Sequence, residues 1–189
     1  METPPKRWSP DEFYELPDAK RFELVDGRLK ERPMSEESSY IGGEIFTYLK
    51  IWTRQTGLGW AFPSDQFYRA FRGGEDVRLA DASFISRDRL PDGPTSRGMT
   101  PFAPDLAVEV IAPGDRAGEI EQKIADYREA GVLLVWVIYP GRRVIHVFRN
   151  GSESPNVLTE TDTLTGGDVP PGFAVPVADI FPPKPSAGD

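Results

Sequence analysis

Glu109 lies in Leu106-Ala107-Val108-Glu109-Val110-Ile111, an otherwise apolar run of strand length. A carboxylate there is costly unless it is paired, hydrogen-bonded or bound to a metal ion. A structural ion pair with an arginine would satisfy it equally well, so the residue alone leaves both roles open. Asp81 stands in Leu79-Ala80-Asp81-Ala82-Ser83-Phe84-Ile85, although aspartate is depleted in strands. A catalytic carboxylate or a plain strand end would each explain it. Lys123 sits beside the helical stripe of Ile120, Ile124 and Tyr127, so its amine could reach a sheet beneath the helix. Glu119, four residues earlier, also makes it half of an ordinary surface pair. Glu23, in Phe22-Glu23-Leu24-Val25, reads by itself as a solvent-facing strand residue. Asp105 begins the strand of Glu109 on the same face. At roughly 3.3 Å per residue the two are about 13 Å apart, too far for one metal ion to bridge.

Composition narrows the chemistry. The 189 residues include no cysteine and one histidine. That removes disulfides, thiolate nucleophiles and iron–sulfur clusters, and nearly removes zinc. His146 alternates with Val144 and Phe148 and reads as a strand histidine of no special role. A Ser-His-Asp hydrolase would need it, yet no G-x-S-x-G elbow occurs. Neither a P-loop nor a dinucleotide fingerprint is present. What remains is carboxylates and lysines, and carboxylates favour hard cations such as Mg²⁺ or Mn²⁺. With 22 Lys/Arg against 30 Asp/Glu the net charge is −8. Such a chain is a poor non-specific coat for nucleic acid, whose affinity comes from cation–phosphate contacts. Arg69, Arg72, Arg78, Arg87, Arg89 and Arg97 are interleaved with acids and read mostly as a solvated face.

The elements that must position these residues follow from pattern. A short helix starts at Ser9-Pro10-Asp11-Glu12, with Ser9 as cap. Phe22 to Arg32 reads as a hairpin turning at Asp26-Gly27. Glu36 to Gln55 is a long helix whose stripe is Ile41, Ile45, Tyr48, Leu49 and Trp52, and Gly42-Gly43 either weakens it or admits a close neighbour. Strands are expected over Trp60–Phe71, Val77–Ile85, Pro104–Ile111, Val132–Tyr139 and Arg143–Arg149, with a helix from Arg116 to Ala130. Strand, helix, strand from Pro104 to Tyr139 makes a parallel pair. The sum is an α/β (α+β) domain over 1–181, a mixed sheet flanked by helices with extra β hairpins. Pro182 to Asp189 reads as a disordered tail. No apolar stretch approaches roughly 18–20 residues, the polar start Met1–Lys6 is not a signal peptide, and the expected compartment is the cytoplasm.

The order Asp81, Glu109, Lys123 resembles the PD-(D/E)xK nuclease arrangement. More narrowly, the chain resembles the Uma-two family of restriction-endonuclease-like proteins. The resemblance is carried by Phe22-Glu23-Leu24-Val25-Asp26-Gly27-Arg28-Leu29, Ala80-Asp81-Ala82-Ser83-Phe84-Ile85 and Pro104 to Ile111. Further on come Lys123 with Tyr127, Gly131-Val132, Val135 to Pro140, Pro171-Gly172-Phe173 and Ile180-Phe181. It spans about residues 8 to 181. It implies a restriction-endonuclease-like sheet with Asp81 as the first aspartate, Glu109 as the second acid, Lys123 as a motif lysine moved onto the helix, and Glu23 as an early glutamate completing the site. It further implies Mg²⁺ (or Mn²⁺) at Asp81 and Glu109, hydrolysis of phosphodiester bonds in nucleic acid, DNA first, and a homodimer. Three positions depart from the family pattern: Ala80 replaces a proline, Ile111 stands where the lysine is usual, and Glu37-Ser38-Ser39-Tyr40 lacks a histidine. Two other functions fit the acids: a non-catalytic binding or assembly module on the same fold, and a carboxylate-pair glycosidase needing acids about 5–9 Å apart.

Overall fold

The computed structural model describes residues 6–96 and 98–184. Ser9 caps α1 (Pro10–Tyr14) in a capping box, its hydroxyl accepting from Glu12 N while Ser9 N donates to the Glu12 carboxylate at 2.9 Å. β1 (Phe22–Val25) and β2 (Arg28–Glu31) form the expected hairpin. Asp26 and Gly27 both have positive φ, 53° and 69°, the tight-turn geometry that Asp-Gly accommodates. α2 (Glu36–Thr56) follows, capped by Ser35.

Two segments expected as single strands each split in two. Trp60–Phe71 becomes β3 (Gly59–Pro63) and β4 (Tyr68–Phe71), and Val77–Ile85 becomes β5 (Asp76–Arg78) and β6 (Ala82–Ser86). β3 pairs with β6 in one sheet and β4 with β5 in another. The chain therefore crosses the seam between two sheets twice. Alternation of side chains persists across such a crossing, so periodicity does not reveal it. At Gly59 a Cβ would run into the Ile85 carbonyl and the Phe84 ring, so only glycine lets β3 lie this close to β6.

β7 (Leu106–Val110), α3 (Ala117–Glu129) and β8 (Leu134–Tyr139) form the expected crossover, and β7 and β8 are parallel. β9 (Val144–Arg149), β10 (Asn156–Leu158), β11 (Thr163–Thr165) and β12 (Ala174–Pro176) complete the strands. The large sheet has the order β10-β9-β8-β7-β6-β3, the smaller one β2-β1-β5-β4, and β11 pairs with β12. α2 and the segment from Leu164 to Phe181 cover one face of the large sheet, packing Ile41, Ile45, Leu49 and Trp52 against Phe84, Val108 and Trp136. α3 covers the other, setting Ile124 and Tyr127 on Ala107, Val135 and Val137. Each fully buried side chain of this size contributes about 1.5–3 kcal/mol, so both helices are fixed rigidly over β7.

Among the described residues no helix is long and apolar enough to cross a membrane. Of the expected tail only 182–184 are described. Pro182 O accepts from Arg143 at 3.0 Å and Lys184 pairs with Glu160 at 2.7 Å. Residues 185–189 and Arg97 lie outside the described residues.

Candidate active site

Alternation along β7 sends Val108 and Val110 toward α2 and Ala107 and Glu109 toward α3. Glu109 is 9% exposed. α3 presents Lys123 and Tyr127, one turn apart on the same side, to its two oxygens: Lys123 Nζ donates to Oε2 at 2.7 Å and Tyr127 Oη to Oε1 at 2.6 Å. Lys123 is thus not paired with Glu119, which meets Lys30 instead at 3.8 Å. Its ammonium also lies 3.0 Å from Glu23 Oε1 and donates to the Leu79 carbonyl at 3.3 Å.

Glu23 comes from the smaller sheet and is buried, contrary to its solvent-facing alternation, because β1 is covered on both sides: Leu24 packs in a cluster with Phe13 and Val77, while Glu23 faces α3. Arg78 Nη1 donates to its Oε2 at 2.8 Å and Leu79 N to its Oε1 at 3.0 Å. The other arm of Arg78 pairs with Asp126 on α3, which Gln122 also holds at 2.8 Å. Asp81 sits at the second seam crossing, between β5 and β6. Its N–H donates to Val108 O at 2.8 Å, its Oδ2 accepts from Val110 N at 2.7 Å, and its Oδ1 from Arg32 Nη2 at 2.9 Å. α2 passes nearby, but a Cβ on Gly42 would meet that of Asp81 at an ordinary contact distance of 3.5 Å and one on Gly43 would meet nothing within 4 Å, so no close approach requires the glycine pair.

Glu23, Asp81, Glu109 and Lys123 all line one cavity of about 190 Å³, with Arg32, Arg78 and Asp115 on its wall. Asp81 also borders a smaller space of about 130 Å³ beside Ser38, Ser39 and Gly43 at the start of α2. The other sequence candidates lie elsewhere. Asp105 is buried rather than solvated, held by Ser86 N at 2.7 Å and Arg89 at 2.8 Å. His146 packs at a tilt against Tyr139 with ring centroids 4.6 Å apart. Of the described arginines expected on a solvated face, Arg78 is buried, while Arg69 and Arg72 pair with Asp11 and Asp26.

The charges interlock. Burial pushes the Glu109 carboxyl up, Lys123 pulls it back, and the like charges of Asp81 and Glu23 add to the push, leaving it at about 7. Burial works the same way on Glu23, but Lys123, Arg78 and the Leu79 N–H outweigh it and hold this carboxyl down to about 2. Burial works against the charge on Lys123, yet Glu109 and Glu23 raise it above the ordinary lysine value, so it stays an ammonium. Burial and the adjoining Glu109 keep Tyr127 protonated. For the metal-free protein the two glutamates act in opposite directions. Glu23, lowered on folding, contributes stability present above its unfolded value near 4.5 and lost as pH falls toward 2. Glu109, raised on folding, contributes stability present below about 4.5 and lost as pH rises through 7. Urea unfolding of Glu109→Gln and parent at pH 5 and 7.5 should show a decline of about 1–3 kcal/mol in the parent that the variant lacks; parallel pH curves would contradict it.

The acids suit a hard cation only in part. Among the described residues no three Asp, Glu or His side chains gather around one point. Asp81 and Glu109 line the same cavity, and Mg²⁺ asks for one or two carboxylates while keeping several waters. Each of their oxygens has a second lone pair beyond the donor it accepts from. Glu23, closed in by three donors, is less available.

Arg32, Arg78 and Tyr127 belong to this site as much as the four sequence candidates. Arg78 carries the signal that singled out Glu109, a charge between apolar neighbours, in Val77-Arg78-Leu79. Tyr127 follows Lys123 by four residues. For Arg32 no local signal exists, since its partner is 49 positions away.

Comparison with known proteins agrees with this architecture. Among solved structures the chain is similar to a protein of Anabaena variabilis ATCC 29413, described as a "putative nuclease belonging to DUF820". The two share 21% sequence identity with a TM-score of 0.78, over 92% of this chain and 97% of that one, which shows a common fold. No curated protein sequence matches. Residues 10–178 match the family Uma2, described as "Putative restriction endonuclease", and the chain belongs to that family.

Proposed function

We propose that the chain is a divalent-metal-dependent endonuclease that hydrolyses phosphodiester bonds in DNA. The observation that carries this is Lys123, an ammonium clamped between Glu109 and Glu23 in the cavity that Asp81 also lines. Asp81 and Glu109 would hold the Mg²⁺ or Mn²⁺, which when bound polarises a phosphate and makes its water more acidic. The chain's own residues do the rest. Lys123 cannot serve as a base while it holds its proton, so it offsets negative charge on the phosphoryl oxygens and orients the attacking water. Glu23 and Tyr127 are positioning residues, the first fixing Lys123 and the second fixing Glu109. The net charge of −8 argues that substrate is held locally rather than by a broad basic face. The resemblance adds a homodimer, to be checked by sedimentation.

The test is cleavage of plasmid and single-stranded DNA with Mg²⁺ or Mn²⁺. Asp81→Asn and Glu109→Gln should each lose activity by about 10²-fold or more; cleavage equal to the parent would reject the assignment. A non-catalytic binding module has one observation in its favour: every oxygen of Glu23, Asp81 and Glu109 already accepts from a protein donor. A rise in Tm at millimolar metal, absent in Asp81→Asn, is expected of the endonuclease and not of the module.

A further inference from the structure

Arg32 is buried against the acid that the proposed function most needs free. Its side chain is 9% exposed. Nη2 donates to Asp81 Oδ1 at 2.9 Å, while Nη1 donates to the carbonyls of Ser64 at 3.0 Å and Lys20 at 3.2 Å. The guanidinium fork thus has two neutral acceptors and one charged one. The ion pairs around it join four acids, Glu23, Asp81, Glu109 and Asp126, to three cations, Arg32, Arg78 and Lys123, and Asp115 stands on the same cavity wall. With every group ionised the acids outnumber these cations. Removing Arg32 would widen that excess, which a divalent cation bound at Asp81 would offset.

We propose that Arg32 is a resident counter-ion that competes with the divalent cation for Asp81. It keeps Asp81 paired in the metal-free protein and yields Oδ1 when the cation binds, remaining anchored by Ser64 and Lys20. This rests on the reading of Asp81 and Glu109 as the cation's ligands. Its consequence is a site that is assembled before metal arrives and binds metal more weakly than its acids alone would.

Calorimetric titration of the full chain with Mn²⁺ tests it, with no substrate present. Arg32→Gln should bind Mn²⁺ about tenfold tighter than the parent, the equivalent of one charge-assisted hydrogen bond no longer broken. Its metal-free Tm should be lower, and saturating Mn²⁺ should narrow that gap. Should Arg32→Gln fail to fold, Arg32→Lys serves. Lysine keeps the charge but lacks the fork that spans Asp81 and two carbonyls, so Mn²⁺ should bind about threefold tighter. Unchanged or weaker Mn²⁺ affinity in a folded variant overturns the competition and leaves the ligand assignment standing. Failure of Mn²⁺ to bind parent or variants, or equal binding by Asp81→Asn, defeats the ligand assignment and the competition together.

Discussion

Replacing Lys123 by methionine is expected to lower cleavage by about 10²–10³-fold, the usual cost of removing one fixed charge-stabilising donor from a reaction centre. Methionine keeps most of the stem and its packing beside Ile120 and Ile124, so the loss falls on the ammonium. That group is the link between the acid of the large sheet and the acid of the smaller one, 2.7 Å from Glu109 and 3.0 Å from Glu23. Lys123→Arg should not restore activity, because a planar fork cannot occupy the point between the two carboxylates and the Leu79 carbonyl. On the proposed mechanism, single-turnover rates at saturating substrate should fall far more than substrate affinity does. Cleavage by Lys123→Met within threefold of the parent would remove lysine from the mechanism.

Arg78→Met should be the most destabilising change at the site, by about 3–5 kcal/mol, because it takes from buried Asp126 its cation and leaves buried Glu23 with Lys123 alone. For a chain of this length that lowers Tm by about 6–20 °C. The large cost measures the abandoned carboxylates more than the worth of the bonds. The triple variant Glu23→Gln, Arg78→Met, Asp126→Asn should therefore recover much of the lost stability in urea unfolding. If the triple variant were no more stable than Arg78→Met alone, the stranded-charge account would be wrong.

Much of this site was legible as residue types set against their surroundings. Glu109 and Asp81 announced themselves as charges among apolar neighbours, and strand periodicity correctly set Glu109 opposite Val108 and Val110. The crossover from β7 through α3 to β8 followed from length alone. Where reading by period failed, it failed for one reason: it describes which way a side chain faces, not which strand lies beside it. Glu23 alternates like a surface residue because nothing nearby in sequence reveals the helix that covers it. The continuous pattern of Val77–Ile85 hides the break that puts Asp81 at a strand end, and Arg32 reaches its partner across a long loop closure.

The double crossing between the sheets also bears on how the protein fluctuates. Glu23 and Arg78 ride on the smaller sheet and Glu109 on the larger; β4 joins the larger sheet's core through Tyr68 and Phe71, whereas β1 and β5 pack Leu24 and Val77 in a separate cluster with Phe13. That separately packed part forms a smaller unit able to open at a lower free energy than the rest. Partial opening of the smaller unit would dismantle the charge network while β7, β8 and α2 stayed folded. Amide hydrogen exchange should then find β1 and β5 exchanging together and ahead of β7 and β8, with loss of catalytic competence tracking the first pair.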